Sequence, residues 1–154
     1  MPVFSSPREL RSAIGQELGP SQWLEITQER VDQFAEATGD FQWIHVDPER
    51  AVSGPFGTTI AHGFLTLSVV PMLTRQYYRV ECAAMTVNYG LNRVRFVSPV
   101  PVGSRIRARS NIVEVKDVDP AVQVTLRTTI ELDEAPRPAC VVEGVTRVHF
   151  RSAG

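Results

Sequence analysis

The chain has 154 residues, a formal net charge of −1 and 43% hydrophobic residues. That length fits one domain spanning 1–154, whose core would bury about 70% of the unfolded surface without staples. The charge and composition exclude a disordered chain and a general attraction to nucleic acid, and no segment is apolar enough to span a membrane.

In chain order, Pro7 to Glu17 carries apolar residues at helical spacing, Leu10, Ala13 and Ile14, with Ser6 as cap and Gly19-Pro20 as the stop. Trp23 to Ile26 reads as a short strand. Thr27 followed by Gln28, Glu29 and Arg30 opens a second helix, buried through Val31, Phe34, Ala35 and Thr38. Gly39 ends it in the left-handed conformation, and Asp47-Pro48 caps and starts a short helix to Val52. Phe41 to Val46 is left between them as an ordered loop. The segment SGPFGTT is glycine-rich and mobile in character. Thr59 is expected to cap a helix from Ile60 to about Arg75, apolar around most of its circumference and so buried on nearly all sides, with Pro71 bending it.

From Met85 the period changes to two. Strands are expected over Met85 to Val97, Ser104 to Val115, Ala121 to Leu132 and Ala139 to Phe150. Val122, Val124, Leu126, Thr128, Ile130 and Leu132 alternate with polar residues, the pattern of an antiparallel strand with one buried face. Asn88 and Asn92 around Gly90 read as bulge residues. Helices followed by long strands predict an α+β architecture, a curled antiparallel sheet around a central helix. Cys82 and Cys140 lack paired spacing and read as two buried free thiols in a reducing compartment. The opening MPVFSSPRELRS has no apolar run of signal-peptide length, so a cytoplasmic location is expected.

The stretch ATGDFQWIH holds a carboxylate and an imidazole, Asp40 and His45, five positions apart. On a continuous helix that offset points them apart, because helical neighbours sit three or four apart. A break after Gly39 lets them converge. Each has a plain alternative: Asp favours turns, and most histidines are structural. Downstream, FGTTIAHGF places Gly63 in the first turn of the central helix, where backbone N–H groups lack intrahelical acceptors. A glycine there either lets a substrate carbonyl reach the amide or allows close packing. His62 either orients the loop or fills space. Ser68 either hydrogen-bonds Asp40 or is a small core residue. Arg93, Arg95, Arg105, Arg107 and Arg109 alternate on strands; they either solvate an exposed face or hold a phosphate-bearing ligand. Phosphate-loop, dinucleotide, zinc and nucleophile-elbow motifs are all missing.

Taken together, ATGDFQWIHVDPERA, GPFGTTIAHGF and NYGLNRVRFVSPVPVGSRIRAR resemble the MaoC-like (R)-specific enoyl-CoA hydratases of the hotdog fold, over roughly residues 25 to 150. Gly39, Asp40 and His45 match the family pattern, while Gln42 and Trp43 stand where Asn and Pro are usual. The resemblance implies hydration of a trans-2-enoyl thioester to the (3R)-hydroxyacyl thioester and the reverse. Asp40 and His45 would activate one water, the Gly63 N–H would bind the thioester oxygen, and Ser68 would support Asp40. It further implies a homodimer taking acyl-CoA or an acyl-carrier-protein thioester, with Arg93, Arg95 and Arg105 near the phosphates. No metal or redox cofactor is expected, since coenzyme A is part of the substrate. A non-catalytic acyl-thioester binding module, a subunit of a hetero-oligomer and a hotdog thioesterase are the competing readings.

Overall fold

The structure is a computed structural model and describes residues 1–151. The expected domain boundary at 154 lies outside the described residues. The elements are β1 (Val3–Phe4), α1 (Pro7–Ser12), β2 (Glu17–Leu18), β3 (Leu24–Glu25), α2 (Gln28–Thr38), α3 (Trp43–Val46) and α4 (Pro48–Val52). They continue with α5 (Gly63–Ser68), α6 (Val70–Thr74), β4 (Arg79–Val80), β5 (Ala83–Phe96), β6 (Arg105–Val118), β7 (Ala121–Leu132) and β8 (Cys140–Phe150). The main sheet runs β2-β6-β7-β8-β5, with β3 also on β6, and every pairing in it is antiparallel. β1 and β4 form a separate short parallel pair.

The sheet is built by alternation. Ile106, Ala108 and Ile112 of β6, Val124, Leu126 and Ile130 of β7, and Val142 and Val148 of β8 are buried on its inner face. Leu65, Val69 and Leu73 of α5 and α6 join the same core, so the two short helices lie along that face. This is the expected α+β arrangement. The register shifts at Asn88/Gly90 and Leu91/Arg93 put the expected irregularity in β5. On β6, Arg107 and Arg109 share Glu131, Arg109 also reaches Glu17, and Arg105 is bound to Asp133.

Local capping signals hold. The Thr27 hydroxyl accepts from the Arg30 N–H at 3.2 Å, and Gly39 closes α2 at φ 79° with its N–H on the Ala35 carbonyl. Asp47 Oδ1 accepts from the Arg50 N–H at 3.0 Å and starts α4. Several expectations are corrected. α1 ends at Ser12, and Glu17–Leu18 is a strand on β6. Thr38 is exposed rather than buried. Phe41 to Val46 is not all loop, since Trp43–Val46 forms one helical turn. Cys82 is exposed and only Cys140 buried; both are free.

The central helix differs most. It does not begin at Ile60, because Ile60 bridges Pro101 and the Ala61 N–H donates to the Val100 carbonyl at 2.8 Å. Those bonds hold residues 60 and 61 extended. Thr59 is no cap; its hydroxyl donates to Gln28 Oε1 at 2.6 Å. The helix starts at Gly63, breaks at Val69 and ends at Thr74. Nor is it buried all round, with Phe64 68% and Met72 40% exposed. No helix among the described residues is long and apolar enough to cross a membrane.

Candidate active site

Two polar bonds hold the segment that carries the site. Gln28, in the first turn of α2, donates from Nε2 to the His45 carbonyl at 2.8 Å and accepts from Thr59 at Oε1. The Ile60 N–H donates to the Ile44 carbonyl at 3.0 Å. The one-turn helix α3 is thereby tied both to α2 and to the strand-like lead into α5. In the sequence Gln28 reads only as part of a helix start, and nothing in its spacing marks it as a brace for His45.

The chain leaves α2 through Gly39, and Asp40 follows in a turn in which its Oδ1 accepts from the Gln42 N–H at 3.3 Å. His45 is buried, and its Nδ1 lies 2.7 Å from the Ile60 carbonyl. A carbonyl only accepts, so Nδ1 carries the proton and Nε2 presents a lone pair. His62 is 2% exposed and donates from Nε2 to the Asp40 carbonyl at 3.0 Å. Its ring stacks on His45 with centroids 3.9 Å apart, and Phe34 closes its other side at 4.9 Å. His62 Nδ1 is buried without a partner.

The result is the convergence that the sequence predicted for Asp40 and His45. One carboxylate oxygen of Asp40 and one nitrogen each of His45 and His62 lie within 4.8 Å of one another. Such a trio can be asked to hold a metal ion. The histidine planes lie only 26° apart in a stack, so their in-plane lone pairs run side by side and do not aim at one point. The trio suits proton transfer better. Burial pushes the His45 imidazole below its ordinary 6.5; the Ile60 carbonyl and Asp40 oppose the shift and His62 adds to it. His45 is therefore neutral at pH 7.

Gly63 is the first residue of α5, and its N–H makes no hydrogen bond among the described residues. A Cβ there would lie 2.9–3.1 Å from the Phe96 ring. Both readings of Gly63 therefore have support: the amide is free, and the close approach of β5 requires the missing side chain.

Ser68 does not sit where it was expected. It is exposed, and its hydroxyl donates to the Phe64 carbonyl at 2.6 Å rather than to Asp40. The i−4 carbonyl is the nearest acceptor on its own helix and captures it. Arg105 pairs with Asp133 and stays half-exposed. Arg93 and Arg95 make no ion pair among the described residues, and Arg95 donates to the Val94 carbonyl.

Comparison with known proteins adds three findings. Residues 9–134 match the MaoC like domain. The chain is 55% identical over 148 residues to 3-hydroxyacyl-thioester dehydratase Z of Mycobacterium tuberculosis, covering 96% of this chain and 98% of that protein. Among solved structures, it resembles a monoamine oxidase regulatory protein from Archaeoglobus fulgius with a TM-score of 0.74 at 26% identity, over 90% of this chain and 91% of that one. It also resembles the (R)-hydratase from A. caviae involved in PHA biosynthesis, with a TM-score of 0.71 at 24% identity over 90% and 96%. The last likeness is one of fold, the hotdog arrangement of sheet and helix.

Proposed function

The chain belongs to the MaoC-like dehydratase domain family, and from that premise we propose that it is a hydro-lyase interconverting (3R)-hydroxyacyl and trans-2-enoyl thioesters at Asp40, His45 and the Gly63 amide. The observation that carries the site assignment is the meeting of the Asp40 carboxylate and the two imidazoles within 4.8 Å.

In the hydration direction, one water sits between His45 Nε2 and the Asp40 carboxylate. His45, with its Nδ1–H fixed on Ile60, takes one proton from the water as its oxygen bonds to C3. Asp40 accepts the water's other hydrogen and aims it. The C2=C3 electrons move toward the thioester, whose oxygen becomes an enolate held by the Gly63 N–H. The His45 imidazolium then returns its proton to C2 on the same face, and one water has been added. Dehydration is the same path reversed. Acid–base groups and one amide suffice, with coenzyme A entering only as part of the substrate.

His62 takes no proton in this scheme. Its bond to the Asp40 carbonyl and its stack on His45 hold the two reacting groups at a fixed spacing. Arg93, Arg95 and Arg105 are the cations to meet substrate phosphates; among the described residues Arg93 and Arg95 make no ion pair, and Arg105 is paired with Asp133 at the surface. β5 is exposed along nearly its whole length and has one free edge, which supports a homodimer formed through that strand.

The test is enoyl-CoA hydration followed as loss of enoyl absorbance. Asp40→Asn and His45→Gln should each reduce kcat/KM by roughly 10²–10⁴-fold with the fold retained. Turnover within a few-fold of the unmodified protein in either variant would remove that residue from the mechanism.

A further inference from the structure

The one-turn helix α3 cannot satisfy its own last carbonyls, and their donors come from elsewhere in the chain. Pro48 has no N–H to return to the Ile44 carbonyl, and the Ile60 N–H takes that place at 3.0 Å. The His45 carbonyl is served by the side chain of Gln28 at 2.8 Å. Residue 60 grips the turn a second time, because its carbonyl accepts the Nδ1–H of His45 at 2.7 Å. Where residue 60 moves, the imidazole turns with it.

Residue 60 is held in place through its neighbour. Thr59 is 2% exposed; its carbonyl accepts from the Val102 N–H at 2.9 Å and its hydroxyl donates to Gln28 Oε1 at 2.6 Å. The Gln28 amide is engaged at both of its atoms. Its Nε2 donates to the His45 carbonyl and to Asp32 Oδ1, each at 2.8 Å, while Oε1 takes the Thr59 hydroxyl. These partners permit one orientation of the amide, since turning it over would set Oε1 against two other acceptors. The Gln28–Thr59 bond therefore closes a circuit. It runs from the His45 main chain through Gln28 and Thr59 to Ile60, and back to the imidazole of the same histidine.

We propose that Gln28 and Thr59 are positioning residues for the reaction, and that the hydrogen bond between them sets the aim of the His45 imidazole at the water shared with Asp40. The proposal rests on the hydro-lyase reading of the Asp40–His45 site. With the circuit open, residue 60 slips relative to α3 and the ring rotates about its own side-chain bonds. Nε2 then stays in the site but no longer points at the attacking water. A misplacement of about 1 Å is enough to cost about 10²-fold in rate. The thioester is held by other groups, so the loss falls on kcat and leaves KM alone.

The experiment is steady-state enoyl-CoA hydration by Thr59→Val, Thr59→Ser, Gln28→Met and the double variant Thr59→Val with Gln28→Met. Near-ultraviolet circular dichroism checks that each is folded, and nitrogen NMR reads the His45 ring. Thr59→Val keeps the shape of the side chain and removes the hydroxyl; its kcat should fall by roughly 10–100-fold with KM unchanged. Thr59→Ser keeps the hydroxyl and should restore most of kcat. The double variant should be no slower than Gln28→Met, because the bond between the two residues is lost only once. In NMR the unmodified protein should carry the His45 proton on Nδ1 alone, and Thr59→Val and Gln28→Met should each show a mixture of the two tautomers. A loss carried by KM, a Thr59→Ser variant as slow as Thr59→Val, or an unchanged His45 ring in both variants overturns the proposal. An unmodified protein that hydrates no enoyl thioester removes the hydro-lyase reading instead, and the NMR comparison then decides alone whether Gln28 and Thr59 orient the ring.

Discussion

His45 donates its Nδ1–H to the Ile60 carbonyl, so its titration takes place at the other nitrogen. Burial holds the folded imidazole below the unfolded value of 6.5. Above 6.5 the imidazole is already neutral, and if His45 is the base proposed above kcat/KM should be flat with respect to it there and fall only on further acidification. Stability follows the same group. Between the lowered folded value and 6.5 the unfolded chain binds the extra proton and the folded chain does not, so stability rises with pH in that window and is lost on acidification. Urea midpoints at about pH 5.5 and 7.5 should differ less in His45→Gln than in the unmodified protein; an unchanged difference would mean that His45 is not held neutral by burial. Asp40 and His45 were legible in the sequence because Gly39 and Asp47-Pro48, which bend the chain between them, act locally. The roles of His62 and Gln28 were not. A ring stack and a brace to a backbone carbonyl depend on segments far apart in the chain, and no spacing encodes them.

At the level of elements, α2 and the long strands follow from short-range signals: a threonine cap, a left-handed glycine, alternation over many residues. The start of α5 does not. It is decided by Val100 and Pro101, which capture Ala61 and Ile60 from the next part of the chain and delay the helix to Gly63. That delay makes Gly63 the first helical residue and, among the described residues, leaves its amide without a partner, as the role proposed for it requires. The Phe96 ring against Gly63 makes the joint between α5 and β5 tight. Gly63→Ala should cost about 1–3 kcal/mol from overpacking, and Phe96→Ala should lose the ring's contacts. The double variant should be more stable than the sum of the two losses predicts, since the added methyl then has room. Urea unfolding of the four proteins measures the coupling, and strict additivity would show that the ring yields freely. Activity in Gly63→Ala should fall as well, and Phe96→Ala should restore part of it if displacement of the amide is the cause.

For the molecule as a whole, the sheet has one protected side and one bare one. On the far side β6 carries the short strands β2 and β3, whereas β5 ends the sheet with fourteen residues and no cover. Met85, Val87, Tyr89 and Leu91 are all exposed there, and Phe64 and Met72 add apolar surface on the adjacent helices. An edge that long and that apolar invites pairing, and natural chains usually blunt it with charge, proline or a bulge. The register shifts between Asn88 and Gly90 and between Leu91 and Arg93 bend this strand but do not cover it. In the homodimer proposed above a second copy would cover it, since an antiparallel edge laid against itself across a two-fold axis brings the same patch to both sides. Thr86, Asn88 and Leu91 of the same strand line a cavity that the partner would then help to close. Light scattering should report twice the chain mass for the unmodified protein. Val87→Lys, at a position already open to solvent, should give a folded monomer. A dimer that survives the lysine would place the interface elsewhere.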